Sequence, residues 1–202
     1  MIRFAIATFF ALTSLAQSAE PRMTVGLRVV KAGTTYEAID AIKAGEQFDL
    51  VLIVQDKRKI VEGMRRGVFA AYCNLGYSKR YADLQWVEHT PPFTDAEKKS
   101  RVVTPAGLGP WGGMRGLGGG DTEPIEVSRI RFRALWPANI APGLTEASTI
   151  FRCSVTGLRS PHFDTLLYGT KYPDRDAYYP GEVGTVKPEE ITVRGVALRI
   201  LK

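Results

Sequence analysis

The stretch Val68-Phe69-Ala70-Ala71-Tyr72-Cys73-Asn74-Leu75-Gly76-Tyr77 separates its residues by parity. Phe69, Ala71, Cys73, Leu75 and Tyr77 fall on one face, and Val68, Ala70, Tyr72, Asn74 and Gly76 fall on the other. A repeat of two is the side-chain period of a β-strand, so the first set is expected to face a core and the second to point outward. The same reading extends in both directions. Gly45-Glu46 turns into Phe48-Asp49-Leu50-Val51-Leu52-Ile53-Val54, and Met23 to Val30 precedes it as a strand rich in β-branched residues. Leu84 to Val87, Ile125 to Leu135, Thr149 to Val155 and Ile191 to Leu201 follow. In the last of these the apolar positions change phase at Gly195, which suggests a bulge there. Helical pattern is confined to a turn or two over Thr35 to Lys43 and over Arg58 to Met64, too short for stable helices. Short strands separated by turn signals read as an all-β sandwich of about nine strands.

At 202 residues with 45% hydrophobic content, the chain can build one packed domain. Met1-Ile2-Arg3 and the apolar run Phe4 to Leu15, followed by Ala16-Gln17-Ser18-Ala19, have the layout of an export signal over residues 1–19. That run is shorter than the roughly 20 residues a membrane span needs. Residues 20–202 are then expected to form a single sandwich domain, secreted, periplasmic or at the cell surface, with no span after signal cleavage. The net charge of +6 comes from scattered basic residues and short runs such as Lys57-Arg58-Lys59. No interleaving of arginine with stacking aromatics marks a nucleic-acid surface. Residues 105–124 hold eight glycines in twenty positions and are expected to be a glycine-rich loop. The GxGxxG that opens at Gly107 contains Pro110 and leads into more glycine, so no helix can follow it to hold a pyrophosphate.

Two passages carry a family resemblance: Gly45-Glu46-Gln47-Phe48-Asp49-Leu50-Val51-Leu52-Ile53-Val54-Gln55-Asp56, and Arg66-Gly67-Val68-Phe69-Ala70-Ala71-Tyr72. Together with Asp164-Thr165-Leu166-Leu167-Tyr168-Gly169 and Val186-Lys187-Pro188-Glu189-Glu190-Ile191, they resemble the cohesin-like domains of large secreted bacterial proteins. The resemblance implies a jelly-roll β-sandwich related to bacterial carbohydrate-binding modules. It also implies a non-catalytic role without cofactor or metal. The partner it implies is another secreted protein, such as a dockerin-bearing one, in polysaccharide-processing assemblies. On this alignment the outward residues Tyr72 and Asn74 belong to the binding strand, with Tyr72 where such modules often carry an aspartate.

Other residues leave alternatives open. Cys73 and Cys153 are both placed on inner faces; they are either a disulfide or two separate buried thiols. Trp111, Tyr172, Tyr178 and Tyr179 could stack on sugar rings, which keeps a carbohydrate-binding module as the second reading. Trp86 and Trp136 are assigned to the core or its margin. A small secreted hydrolase is the third reading, and it lacks support: no GxSxG elbow is present, and His89 and His162 sit beside Pro-containing turns.

Overall fold

The computed structural model describes residues 22–57, 68, 70–91, 93–94, 103–104, 107–114, 123–159, 166–169 and 190–202. The candidate export signal and Arg58 to Met64 lie outside them. Among the described residues there are twelve strands: β1 Met23–Lys31, β2 Ala41–Lys43, β3 Gln47–Asp56, β4 Ala70–Gly76, β5 Ala82–His89, β6 Val103–Thr104, β7 Gly107–Met114, β8 Ile125–Ala134, β9 Glu146–Arg159, β10 Leu166–Gly169, β11 Ile191–Arg194 and β12 Val196–Leu201. They form two sheets. The first runs β11-β1-β3-β8-β5 and the second β2-β12-β9-β4-β7-β6, with β10 paired to β9. The sandwich expected from the alternation is present.

The core lies between the sheets. Phe48, Leu50, Leu52 and Val54 from β3 face Ala71, Cys73 and Leu75 from β4, with Tyr77 just beyond, all buried. Four aromatic rings bind the two sheets together at one end. Phe132 on β8 stacks on Phe48 at 5.5 Å, meets Tyr77 edge-on at 4.9 Å and contacts Phe151 of β9 at 5.4 Å between ring centroids. Trp136 packs against this core, whereas Trp86 stands on the outer face of the first sheet.

Three local readings are corrected. Thr35 to Lys43 carries no helical turn among its described residues; Ala38 bridges Val30, and Ala41–Lys43 pairs with β12 in parallel. Val68, expected to point outward, is 1% exposed and belongs to the core, since regular pairing of β4 begins only at Ala70. Within the glycine-rich stretch, Gly107–Met114 is a strand and not a loop. Glycine is costly to order, but here backbone pairing supplies the compensation: β7 bonds to β4 on one side and to β6 on the other.

The phase change at Gly195 has a larger cause than a bulge. β11 pairs with β1 in the first sheet, and β12 pairs with β9 in the second, so the chain changes sheets at Gly195. A Cβ built there would sit 2.5 Å from the carbonyl oxygen of Phe151, with that backbone held in the β9–β12 ladder. Gly195→Ala is therefore expected to cost about 2 kcal/mol, the usual range for a forced overlap. A thermal melt of the variant at or above the parent's midpoint would show that the crossing has slack.

Part of the outer face of the first sheet is closed by its own charges. Asp49, fully buried, sits directly across from Arg131 and receives a two-pronged contact from it at 2.7 and 3.0 Å. Arg129 donates to the same carboxylate at 3.2 Å, and the Gly33 amide donates at 3.3 Å. Arg129 also grips Glu126 through two bonds of 3.0 Å, and Thr90 donates to Glu126 at 2.6 Å. Positions three apart on a regular strand lie on opposite faces, so this pair needs an irregularity. The register shift between Leu52 and Ile53 supplies it, skipping Val127 and bringing Glu126 and Arg129 onto one side. Arg131 is capped by the Trp86 ring at 4.6 Å. These ion pairs hold both guanidinium groups above their ordinary pKa, Arg129 chiefly through Glu126 and Arg131 through Asp49.

Candidate functional site: the outer face of the second sheet

The second sheet presents a different outer surface. Asn74 of β4 is exposed and stands across from exposed Ser154 of β9. Gly76 stands across from exposed Arg152. Next along β9, Ile150 is 51% exposed and lies opposite Ala197 of β12, and Ser148 lies opposite Arg199. The side chains are short except for Ile150 and the two arginines. Arg199 is neutralised locally, at 3.0 Å from Asp40 and 3.5 Å from Glu146. Arg152 makes no ion pair among the described residues. The result is a low, largely uncharged plateau with one available cation and one exposed branched apolar side chain.

Tyr72 points to this face but is only 9% exposed. Its neighbours in register are Gly112 on β7 and Gly157 on β9. Both cross-strand neighbours therefore carry no side chain beside it. Buried as it is, Tyr72 offers little free ring surface, while Asn74, two residues on, is accessible. Trp111 was expected at the tip of a loop; its backbone instead pairs with Cys73 inside β7. Tyr172, Tyr178, Tyr179 and His162 lie outside the described residues.

Where β4 ends at Gly76, β9 continues toward its start without β4 beside it. A cleft of about 490 Å³ opens there between the Tyr77–Tyr81 turn and Ser148 to Arg152. Tyr77 lines it, and burial, with a smaller effect from Asp83, raises the pKa of its phenol.

Cys73 and Cys153 lie on neighbouring strands, both turned inward. Cys153 is across from Leu75, so the two cysteines are diagonal neighbours two positions apart. Both are free thiols. The neighbouring Cys153 side chain, together with burial, raises the pKa of Cys73, and Cys73 in turn lowers that of Cys153.

The sequence reading of Asn74 as outward agrees with its exposure, and Ile150, Arg152 and Ser154, also exposed on this face, are not singled out in it. The signal was available, because assigning Phe151, Cys153 and Val155 to the inner face of one strand assigns the residues between them to the outer face.

Solved structures share this two-sheet arrangement. A type I cohesin–dockerin complex of Clostridium thermocellum superposes with a TM-score of 0.56, covering 93% of this chain and 98% of that chain at 13% identity. The chain has the cohesin fold. The cohesin module of a family 33 glycoside hydrolase from Clostridium perfringens matches with a TM-score of 0.50, covering 90% of this chain and 96% of its own, at 8% identity. No protein-family model matches the sequence, and no curated protein matches it. The cohesin-like fold is thus shared in three dimensions with little identity in sequence.

Proposed function

We propose that this chain is a non-catalytic binding module that takes a partner protein on the outer face of β9, β4 and β7. The observation that supports this reading most is the contrast between the two outer faces. Around Asp49 the first sheet's charges are spent on one another, whereas the second sheet leaves Asn74, Ser154, Ile150 and Arg152 exposed side by side on adjacent strands. Of the similar structures, one comes from a cohesin–dockerin complex and another is the cohesin module of a glycoside hydrolase. By analogy of fold, the partner is a dockerin-like segment, and the setting is an exported assembly that processes polysaccharide. Arg152 asks that partner for a carboxylate or carbonyl oxygen, and Ile150 for an apolar contact.

A photo-crosslinking residue at Asn74 tests this directly in the producing organism. A defined protein adduct is expected, followed by binding of the purified partner that falls at least about tenfold in Arg152→Glu, equivalent to 1.4 kcal/mol. The variant should melt with the parent, because Arg152 makes no ion pair among the described residues. Glycan binding without any protein adduct would replace the proposal with a carbohydrate-binding module. Turnover of a glycoside or ester by the purified chain would remove both.

A further inference from the structure

We infer that the cleft at the end of β4 is an anchor pocket for a carboxylate side chain of the docking protein, with Arg152 and Thr149 as its recognition groups. The inference rests on the reading of this face as a protein-docking surface and adds the chemistry of one contact to it. Three observations support it. The first is shape: about 490 Å³ gives room for one side chain and its flanking backbone. The cleft is also continuous with the outer face, because Ile150 and Arg152 belong to both. The second is charge. Arg152 is the one charged residue among those lining the cleft, is exposed, and makes no ion pair among the described residues. The third is an orphaned hydroxyl. Thr149 lines the cleft at 4% exposure, and its Oγ1 is buried with no hydrogen-bond partner among the described residues. Native folds rarely leave such a group unpaired.

A guanidinium among hydroxyls, with no acid beside it, selects an oxyanion over a cation or a neutral amide. The incoming carboxylate accepts from Arg152, and a step about χ1 of Thr149 turns its hydroxyl toward the same group. Ser78 and Ser148 line the remaining wall and supply further donors. Ile150, half exposed at the rim, covers the apolar stem of the acidic side chain.

The experiment titrates the isotope-labelled full chain with acetyl-Ala-Leu-Glu-Ala-amide, and with the same peptide carrying glutamine for glutamate, following backbone amide shifts. The glutamate peptide is expected to move the amides of Ser78 and of Ser148 to Arg152, with half-saturation at about 1 mM, and the glutamine peptide to bind at least about tenfold more weakly. Arg152→Gln should erase that difference. Thr149→Val should weaken the glutamate peptide about fivefold, yet melt no lower than the parent, since its hydroxyl has no partner to lose. Equal binding of the two peptides, or shifts centred on another surface, would overturn the inference. So would a Thr149→Val variant that melts lower and binds like the parent, the mark of a purely structural threonine. Glucuronate binding more tightly than the glutamate peptide would assign the pocket to an acidic sugar and overturn the protein occupant. The Asn74 crosslink reads the docking face and the peptide titration reads the cleft, so either can fail without the other. Should Thr149→Val not fold, the two peptides on the parent chain and on Arg152→Gln still decide.

Discussion

An Asp49→Ala variant is expected to melt about 10 °C below the parent, a loss of roughly 3–5 kcal/mol. Asp49 is fully buried yet lies on the outer side of β3, where Arg131, Arg129 and the Gly33 amide converge on its two oxygens. Removing the carboxylate takes away the charge that two guanidinium groups were desolvated to meet. Their side chains are only 21% and 13% exposed, so water cannot readily replace it. The cost is therefore the penalty of stranded charge more than the lost attraction itself. Asp49→Asn keeps the volume and one acceptor, and should lose about half as much. The double variant Asp49→Ala with Arg131→Ala should be less destabilised than the sum of the single ones, because the second change removes a group the first left unpaired. Chemical denaturation of the four proteins tests this. Additive losses, or an Asp49→Ala variant within 1 kcal/mol of the parent by such a measurement, on the order of an exposed pair, would show that the network is screened like a surface salt bridge.

This network marks a limit of reading by pattern. The strand from Phe48 to Val54 is legible because its inner residues Phe48, Leu50, Leu52 and Val54 are apolar and alternate. Asp49 breaks no rule on the outer face, so nothing in one strand shows that it is buried. Its burial depends on Arg131 and Arg129, about eighty residues away, and on a register shift at Val127 that turns Glu126 to the same side. Pairing partners and bulges are tertiary facts, and local alternation does not contain them.

The glycine-rich stretch failed for a related reason. Intrinsic entropy argues against a strand at Gly107–Met114, and an isolated chain would obey it. Beside the open edge of β4, six of the eight residues pair in register with β4, a gain that local propensity does not count. The phase change at Gly195 was visible, but its meaning was not: a bulge and a crossing between sheets leave the same trace in sequence. The candidate site divides in the same way. Alternation places Asn74 and Tyr72 outward alike, yet Tyr72 is only 9% exposed, which a single strand's pattern does not contain. The outer residues of β9 were legible and passed over, because Cys153 drew the reading inward.

Phe132→Ala is expected to have a comparable effect, about 3–5 kcal/mol, through packing and not through charge. Phe132 is fully buried and touches rings from both sheets: Phe48 on its own sheet's neighbouring strand, and Tyr77 and Phe151 from the opposite side. Truncation to alanine leaves a void bounded by three rings, two of them held in strands, so little collapse can fill it. It also removes three ring–ring contacts, each about 0.5–1.5 kcal/mol beyond the area buried. Phe132→Leu keeps most of the volume and should lose no more than about 2 kcal/mol. The phenol of Tyr77 gives an independent readout, since its raised pKa comes first from burial. Opening the cavity should bring that pKa back toward its ordinary value and make the ring titrate earlier in an ultraviolet difference spectrum. If Phe132→Ala retained the parent's denaturation midpoint and its Tyr77 titration, the four rings would be neighbours without being the clasp between the sheets.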